Sequence, residues 1–588
     1  MNMNKYRNQK LFAYAKRAKW MLLAGFLFAL LSVVFELLAP ATVARILDGL
    51  TEESAKLTDR KGFLLLLGLF FLSVLSGAGF GYASSLSFQR AANRIAQWMQ
   101  EELFGHVQTL PISYFDTLPA GKVVSRITND TKDVRILFQV VLAHVTIATL
   151  YLTGIYGTLL FIDWKMFVMA LIPVPFLLFL FTDYRKKSTS YNKIHREKLS
   201  ELNANLNENI GGMQILQAFG MQEQIYSEFS ALNDAIYDQD IKLTRLESYS
   251  SFNAIGSLRY LSLATVLLYF GAGWLTDAYP VTIGSLYLFI NYMNLIYNQA
   301  NNIIQRLGQL ERAKVAADHI FTLLRTEGAP LSDTPEPLKG TVDFEDVSFY
   351  YKDEEYVLHD ISFHLNPGKT AAFVGHTGSG KSTLMNLLFG FYQPQTGRVL
   401  LDGKDLSELS LGGARDNMAI VLQDPFLFTG TILSNITLHD ERITEEAALE
   451  ALLEVGGEEF LRRHPQGLHT PITEKGMTFS AGERQLISFA RALAKDPAIL
   501  VLDEATSHVD SQTEQLIQAG IERLQRGRTT LLIAHRLSTI RDADRIFVLE
   551  QGRIREEGTH DELITLSGIY KEMYEHQSKS LMNGAGAR

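Results

Sequence analysis

Apolar residues are concentrated in the first half of this chain, in runs that are long enough to cross a membrane. A membrane-spanning helix needs about 20 mostly apolar residues. Six runs meet or approach that length, and they cover 20–38, 63–83, 140–162, 166–181, 252–275 and 281–303. The fourth run is short and contains two prolines, but the polar turn Asp163-Trp164-Lys165 joins it to the third as a tight hairpin. The pattern predicts an all-α domain with six membrane spans.

Basic residues at the ends of these runs predict their orientation, because lysine and arginine are enriched on the cytoplasmic side. They collect before the first run, after the second and after the fourth, so both termini are expected in the cytoplasm. The stretches 91–110 and 193–219 lack proline and repeat apolar residues at a spacing near 3.6. We therefore expect the spans to continue as helices into the cytoplasm, with turns near 116–121 and 211–215.

Two ionisable residues lie inside the apolar runs, Glu36 in the first and Arg259 in the fifth. Such groups are costly in a membrane and are commonly functional, although Glu36 could be solvated at the outer surface and Arg259 could snorkel or pair with a carboxylate. Aromatic and amide side chains fill the sixth run, where they could line a pocket for apolar solutes or bond neighbouring helices together. The candidates for a substrate pathway are Glu36, Arg259, Tyr287, Phe289, Tyr292, Met293 and Tyr297, beside the amides Asn294, Asn298 and Gln299.

The composition of the whole chain limits the remaining possibilities. Its 588 residues exceed what one core supports, so at least two domains are expected. The net charge of −9 argues against nucleic acid as a partner, and the lack of cysteine excludes disulfides and thiolate metal sites. The proline-containing stretch 326–340 predicts a linker between a transmembrane domain at 1–325 and a soluble domain at 341–577, which a flexible tail at 578–588 follows.

The soluble half contains the phosphate-binding loop pattern G-x-x-x-x-G-K-[ST]. In such a loop, backbone amides surround phosphate oxygens, the lysine adds positive charge near the β- and γ-phosphates, and the hydroxyl is placed for Mg²⁺. A strand-like run at 371–374 leads into the loop and a helix-like run at 384–388 leaves it. The predicted ATP-binding residues are Gly375, His376, Thr377, Gly378, Ser379, Gly380, Lys381, Ser382 and Thr383, with Ser382 also a magnesium ligand.

Further residues at predicted strand ends have chemistry that fits a bound nucleotide. Asp503 follows a buried-strand run and is placed to hold Mg²⁺, and Glu504 beside it can polarise the water that attacks the γ-phosphate. His535 follows a second such run and could contact the γ-phosphate. Gln423 offers an amide to Mg²⁺ or to water, and Tyr351 could stack on the base. The predicted catalytic group is Glu504, His535, Lys381 and Gln423.

These motifs resemble the nucleotide-binding domain of ABC transporters over the whole second half. Beyond the phosphate loop, the match includes Phe479-Ser480-Ala481-Gly482-Glu483, Leu502-Asp503-Glu504-Ala505-Thr506-Ser507, Asp510 and His535. The first half resembles the six-helix membrane domain of ABC exporters, at Tyr114-Phe115-Asp116 and at 208–219. The resemblance implies an α/β P-loop ATPase domain of the ABC type. It also implies two chains that hold ATP between the phosphate loop of one and the signature of the other, with Asp510 in the D-loop.

The signature stretch departs from the LSGGQ that is usual in the family. Ala481 adds a methyl group, and Glu483 adds negative charge near a polyanion, a repulsion of about 1 kcal/mol or more at an effective dielectric near 20. Because Lys381, Glu504 and His535 are intact, the chain resembles the competent half of a heterodimeric exporter. A different ABC half-transporter with a degenerate catalytic site would then be its partner, and the signature residues Ser480, Ala481, Gly482 and Glu483 would face that degenerate site.

The function implied by the resemblance is ATP-driven efflux of lipophilic compounds or drugs. The expected location is the plasma membrane, with the chain crossing the lipid bilayer several times and its nucleotide-binding domain in the cytoplasm. Two alternatives stay open, an exporter of lipids or lipopeptides and an ATP-gated regulator or channel.

Overall fold

A computed structural model of the chain describes residues 3–51, 60–276, 282–328, 337–352, 355–473, 476–503, 511–533 and 540–576. The chain divides into two compact units, one comprising Met1–Gln108 and Pro119–Glu327, the other Thr109–Leu118 and Gly328–Arg588. The last helix before the predicted linker ends at Arg325, and residues 329–336 of that linker lie outside the described part.

Helices make up the described residues before the linker, and some are much longer than a bilayer is thick. The longest, Arg60–Thr109, has 50 residues, which at 1.5 Å per residue corresponds to about 75 Å. The helices are α1 (Met3–Arg17), α2 (Lys19–Thr51), α3 (Arg60–Thr109), α4 (Ile112–Thr117), α5 (Ala120–Ser125), α6 (Thr131–Ile136), α7 (Ala143–Ile162), α8 (Trp164–Leu171), α9 (Val174–Gly211), α10 (Met213–Ala218), α11 (Gln222–Glu247), α12 (Ile255–Thr276) and α13 (Ile283–Arg325). Three π-helical turns join some of them, at Arg126–Asp130, Leu137–Leu142 and Ser248–Ala254.

Five helical segments in the described ranges are long and apolar enough to cross a membrane. They coincide with the first five predicted spans, and they cover Lys19–Leu50, Arg60–Thr109, Ala120–Ile162, Trp164–Gly211 and Ile255–Leu275. The sixth predicted span lies on α13, whose amide side chains lower its hydropathy. By length and composition the first five spans agree with the sequence, and the sixth stays a prediction.

The turns of this half follow the predicted positions closely. Asp163 separates α7 from α8, and its carboxylate accepts a hydrogen bond of 2.8 Å from the Lys165 amide, which caps α8. Pro173 divides α8 from α9 because proline cannot continue a helix without losing a hydrogen bond. The helix α9 ends at Gly211, and α10 then extends the second predicted turn as far as the start of α11.

The second unit contains two main sheets. One is antiparallel with the order β2-β1-β4-β5, and the other is mostly parallel with the order β12-β11-β3-β10-β9-β6. A short pair, β7 and β8, stands apart. The strands are β1 (Val342–Tyr350), β2 (Tyr356–Leu365), β3 (Thr370–Val374), β4 (Thr396–Leu401), β5 (Lys404–Asp405), β6 (Met418–Val421), β7 (Gly430–Thr431), β8 (Pro471–Ile472), β9 (Ile499–Asp503), β10 (Thr529–Ile533), β11 (Arg545–Glu550) and β12 (Arg553–Gly558).

Two hydrophobic clusters cover the faces of the parallel sheet. Its parallel strands are mostly buried and apolar on both faces, as parallel strands between covering layers must be, whereas the antiparallel edge strand β12 is largely polar. One cluster packs the sheet against β1, β2 and β4, and the other packs it against helices that include Ala481–Ala494. The helices of this unit are α14 (Lys381–Leu388), α15 (Leu411–Asp416), α16 (Ile432–Thr437), α17 (Glu445–Glu454), α18 (Glu458–Arg463), α19 (Ala481–Ala494), α20 (Ser511–Gln525) and α21 (His560–Leu566), with a 3₁₀ turn at Gly467–His469.

Candidate nucleotide site and membrane cavities

The predicted phosphate loop joins the buried strand β3 to α14, in the middle of the parallel sheet. Gly380 ends the loop with a φ of 103°, a conformation that residues with a side chain rarely adopt. A Cβ on Gly375 would lie 2.2 Å from the carbonyl oxygen of Leu549, so only glycine fits there. These two positions fix a tight backbone path that leaves α14 with its N-terminal amides at the edge of the sheet. Such a helix start attracts phosphate.

Lys381 lies inside this loop, with only 5% of its surface exposed. Its ammonium group donates to the carbonyl oxygens of Gly375 at 2.7 Å and His376 at 3.0 Å, and it lies 3.4 Å from Ser379 Oγ. The charge is thereby held at the centre of the loop rather than in solvent. Ser382, the next residue, is exposed at the first turn of α14.

The other predicted nucleotide groups follow parallel strands whose carboxyl ends meet at one edge of the sheet. Asp503 is the last residue of β9, and Gln423 comes two residues after β6, the neighbour of β9. Glu504, His535 and Asp510 lie outside the described residues. Carboxylate, amide and hydroxyl oxygens are ligands that Mg²⁺ accepts, and Mg²⁺ commonly uses one or two carboxylates with substrate phosphates. Asp503, Gln423 and Ser382 therefore fit the ion by chemistry and by strand position.

Tyr351 lies beside the loop rather than far from it. Its hydroxyl donates to Thr383 Oγ1 at 3.2 Å and accepts from Asn386 Nδ2 at 3.1 Å. The edges of Phe349 and Tyr392 pack against it, with ring centroids 4.8 and 5.0 Å away. Because 42% of the residue stays exposed, the ring is fixed in place and still has surface on which a base could stack.

The signature stretch starts α19 with a capping box. Ser480 Oγ accepts from the Glu483 amide at 3.2 Å, and the Glu483 carboxylate accepts from the Ser480 amide at 2.9 Å. Serine with glutamate or glutamine three residues later is the usual pattern for this reciprocal cap. Glutamate in place of glutamine thus preserves the start of the helix, which Ala481 and Gly482 continue as its first two residues.

The charge of Glu483 has a neighbour that the sequence did not predict. Arg463, at the end of α18, lies 3.5 Å from the carboxylate, and the Glu483 side chain is 15% exposed. Arg463 also pairs with Glu459 at 3.4 Å. The expected repulsion between Glu483 and a polyphosphate neglected this cation, so that expectation needs correction.

In the helical unit, Glu36 accepts hydrogen bonds and lines a cavity. Ser32 Oγ donates to its carboxylate at 3.0 Å, and the Tyr151 hydroxyl donates to its other oxygen. A Cβ on Gly77 of α3 would lie 3.0 Å from Glu36 Cγ, so glycine allows the close approach of α3. The cavity has a volume of about 520 Å³, and its polar lining consists of Glu36, Asn291, Asn294 and Asn298.

Arg259 lines a second cavity of about 400 Å³. Asn294 and Asn298 belong to both linings, so the two cavities adjoin along one face of α13. Within the described ranges no carboxylate lies within ion-pair distance of Arg259, and its guanidinium lies 5.3 Å from the ring centroid of Tyr260. Pairing with a carboxylate, one of the two expectations for this arginine, is absent from this part of the chain.

The aromatic residues predicted for the substrate pathway mostly pack inside the unit. Phe289, Tyr292 and Tyr297 are at most 2% exposed and belong to its hydrophobic core. The hydroxyl of Tyr292 donates to the Leu37 carbonyl at 3.1 Å, and that of Tyr297 lies 2.6 Å from Ser262 Oγ. Tyr287 packs at the edge of the same core, and Met293 lines the Arg259 cavity. Packing between helices, the alternative that the sequence left open, describes these rings better than a pocket wall.

Comparison with known proteins addresses both halves of the chain. The family model of the ABC transporter transmembrane region matches residues 22–300, and that of the ABC transporter ATPase region, described as "ABC transporter", matches residues 358–507. The probable multidrug resistance ABC transporter ATP-binding/permease protein YheH of Bacillus subtilis is 46% identical over 88% of this chain and 77% of its own length. The putative ABC transporter ATP-binding protein exp8 of Streptococcus pneumoniae is 37% identical over 97% of both chains. The chain belongs to the ABC transporter family.

A solved structure of a bacterial Atm1-family ABC exporter with ATP bound has the same fold. It is 26% identical, the TM-score is 0.79, and the match covers 97% of this chain and 99% of that one. The protein is therefore an ABC transporter of the half-transporter type, with a membrane domain fused to an ATPase domain. It binds and hydrolyses ATP in connection with transport across a membrane, and such half-transporters generally work as dimers.

Three features of this ABC transporter were not predicted from the sequence. Arg463 precedes Glu483 by 20 residues in another helix, and no motif links them. Asn386 and Thr383 position Tyr351 from α14, which lies more than 30 residues away in the chain. Asn294 and Asn298 were expected to line a pocket or to bond helices together, but the sequence did not predict that these amides, four residues apart on one helix face, line both cavities.

Proposed function

We propose that this ABC transporter exports lipophilic, commonly cationic compounds from the cell across the plasma membrane. The observation that supports the proposal best is the pair of adjoining cavities in the membrane domain. Both combine apolar walls with a few polar groups, the usual composition of a small-molecule site. Glu36 supplies a carboxylate that would attract a cation, and relatives such as YheH carry names that refer to multidrug resistance.

We propose that the path of the substrate follows the polar face of α13. Asn294 and Asn298 are shared by the two cavities, with Glu36 at one and Arg259 at the other. A cation would be held by Glu36, whose carboxylate already accepts two hydrogen bonds. Arg259 would repel it, so the two charges would give the path a direction.

At the nucleotide site, the proposed roles of Ser382, Gln423 and Asp503 follow from their places beside the edge of the sheet, and those of Glu504 and His535 follow from the sequence. Lys381 would neutralise charge on the β- and γ-phosphates, and Ser382, Gln423 and Asp503 would hold Mg²⁺, which when bound would offset negative charge on phosphate oxygens. Glu504 orients and polarises the attacking water, and His535 steadies the transferred phosphate. ATP drives transport only if it binds the closed pair of ATPase domains better than the open pair.

We further propose that the functional unit is a heterodimer. Two observations support it, namely Ala481 at the third position of the signature and the intact residues Lys381, Glu504 and His535. In this arrangement the competent site uses the phosphate loop of this chain and the signature of a different half-transporter. The multi-pass membrane domain would lie in the plasma membrane with the ATPase domain in the cytoplasm, as the basic residues near the span ends indicate.

The experiment that tests the heterodimer is ATP hydrolysis by this chain alone and with the ABC half-transporter encoded beside it, each with and without Glu504→Gln. We expect activity only from the pair, and its loss on substitution. An active dimer of this chain alone would overturn the heterodimer and leave the exporter intact.

The experiment that tests the substrate class is stimulation of this ATPase activity in detergent-free membranes. Lipophilic cations should stimulate the wild type, and Glu36→Gln should raise the concentration needed by roughly tenfold, because an interaction with a charged group contributes about 1.5 kcal/mol or more. A neutral compound of similar size should be unaffected. Glu223→Gln, which changes an exposed carboxylate that lines neither cavity, is the matched control. Stimulation by lipids alone would favour a lipid exporter.

A further inference from the structure

Two side chains of α14, the helix that starts with Lys381, hold the hydroxyl of Tyr351. Thr383 and Asn386 are three residues apart on α14, so they lie on one face of that helix. The Tyr351 hydroxyl donates to Thr383 Oγ1 at 3.2 Å and accepts from Asn386 Nδ2 at 3.1 Å. A phenol has one proton to donate and lone pairs with which to accept. Both bonds can therefore form at once and tether the ring to α14.

A second set of contacts fixes the backbone beside Tyr351. The Gln395 side chain pairs with Tyr350 as a neighbouring strand would, because its Oε1 accepts from the Tyr350 amide at 2.9 Å and its Nε2 donates to the Tyr350 carbonyl at 3.0 Å. The Gln395 amide also donates to the Ser348 carbonyl at 3.1 Å. The end of β1 is thereby held in place, and Tyr351 follows it directly. The residue is fixed at its backbone and, through Asn386, at its hydroxyl.

The helix that tethers Tyr351 also carries the predicted phosphate-binding residues. Lys381 and Thr383 belong to the first turn of α14, and each is only 5% exposed. The position of Tyr351 relative to the phosphate loop is therefore set by α14 itself. A nucleotide could place its phosphates on the loop and its base on the ring without a rearrangement of either. Ordering a free side chain on binding reduces affinity by about two- to twelvefold, and a tethered ring avoids that loss.

We propose that Asn386 is a positioning residue that makes triphosphate binding depend on the base. It acts through Tyr351 rather than by contact with the nucleotide. The inference rests on the stacking of the base on Tyr351, which leaves 42% of its surface exposed. A base stacked on an aromatic ring contributes about fivefold or more in affinity. Loss of the Asn386 amide should therefore weaken the binding of ATP and spare a triphosphate that has no base.

The test is equilibrium binding of ATP and of ribose 5-triphosphate, which lacks only the base. Both are measured on the purified full-length protein without Mg²⁺, so that neither is hydrolysed. Asn386→Leu keeps the size of the side chain and removes its amide. We expect it to lower ATP affinity about fivefold and to leave the affinity for ribose triphosphate within about twofold. Asn366→Leu removes an exposed amide from the turn after β2 and should leave both affinities within about twofold.

A double-mutant cycle separates an action through Tyr351 from a merely structural one. Tyr351→Phe removes the hydroxyl and keeps the ring, so it should also lower ATP affinity about fivefold. The double variant Asn386→Leu/Tyr351→Phe should bind ATP as Tyr351→Phe alone does, because the tether is already lost. Two independent effects would instead multiply to about 25-fold.

Three outcomes would overturn the role of Asn386. They are unchanged ATP affinity in Asn386→Leu, an equal loss for both ligands in that variant, and multiplied effects in the double variant. An equal loss would mean that Asn386 supports α14 and the phosphate loop instead. If Asn386→Leu folds poorly, Tyr351→Phe tests the same tether from its other end, and unchanged ATP affinity in Tyr351→Phe would also overturn the proposal.

Tyr351→Ala tests the stacking on which the proposal rests. It should lower ATP affinity about fivefold or more and spare ribose triphosphate. Unchanged ATP affinity in this variant would overturn both the stacking and the role of Asn386. A loss in Tyr351→Ala without one in Asn386→Leu would overturn the role of Asn386 alone. None of these measurements involves transport, so the outcome is independent of the proposed export.

Discussion

The pairing of Glu483 with Arg463 predicts a result opposite to that expected from the signature sequence alone. The sequence suggests that the carboxylate repels the ATP that this signature completes, so Glu483→Gln should strengthen binding. The structure places a guanidinium 3.5 Å from the carboxylate. We therefore expect Glu483→Gln to have little effect and Arg463→Gln to be the harmful substitution.

The magnitude follows from the charges. Two unit charges about 8 Å apart interact by about 2 kcal/mol at an effective dielectric near 20, which corresponds to about 30-fold in affinity. A neighbouring cation offsets most of that repulsion. Removal of Arg463 would leave the repulsion between Glu483 and the phosphates uncompensated. The effect is reduced because the Arg463 side chain is 58% exposed, so solvent already screens its pair with Glu483. We expect Arg463→Gln to weaken ATP binding about tenfold and Glu483→Gln to change it less than threefold.

The assay is equilibrium ATP binding to the purified dimer in a Glu504→Gln background, which stops turnover. The double variant Glu483→Gln/Arg463→Gln should return to within about threefold of the parent, because it removes both charges and the glutamine can still cap Ser480. Arg462→Gln removes an adjacent exposed charge and is the matched control.

Two outcomes would refute the reasoning. Tenfold tighter binding in Glu483→Gln alone would mean that Arg463 does not offset the carboxylate. If Arg463→Gln and the double variant bind ATP equally weakly, Arg463 acts through packing rather than through its charge.

Two other predictions concern the ATPase domain. Gly375→Ala should reduce ATP affinity at least 100-fold in the same binding assay, because the added Cβ would lie 2.2 Å from the Leu549 carbonyl oxygen. The control is Gly403→Ala, which is also at positive φ but in open space. It should cost only about 1 kcal/mol of stability and leave ATP affinity unchanged. Hydrogen bonding to Asp343 and to a neighbouring asparagine raises the pKa of His364, so this histidine stabilises the fold fully below pH of about 6.5 and loses that effect as pH rises through its folded pKa. The melting temperature of the wild type should exceed that of His364→Gln at pH 6 and converge with it at higher pH, by a small amount because the side chain is 54% exposed; a gap that widens with pH would contradict this sign.

The strands and the helix around the predicted phosphate loop agree with the sequence analysis because their signals are local. The strand before Gly375, the loop and the helix after Lys381 are contiguous, and the apolar runs before Asp503 and Gln423 can only be buried strands in such a domain. Parallel pairing then brings the strand ends together without further information. Contacts across distant helices, such as Arg463 with Glu483, have no comparable local signal.

The membrane domain was harder to predict, and the sixth span shows why. Phe289, Tyr292 and Tyr297 lie on one stripe of α13 that faces the core, and Asn294 and Asn298 lie on another that faces the cavities. Helical spacing separates the stripes. It does not tell which stripe faces a cavity, because aromatic and amide side chains both suit either place in a membrane.

The length of α3 has a mechanical consequence. Its close approach to α2 at Gly77, beside Glu36, leaves about 32 residues between that point and its end at Thr109, or roughly 48 Å. A rotation of only about 5° around Gly77 would move the far end by roughly 4 Å. A change of less than an ångström where Glu36 meets its cavity would thus become a displacement as large as an atom's diameter at Thr109. A rigid α3 that pivots at Gly77 would act as a lever, with a short arm at the cavity and a long arm that ends at Thr109.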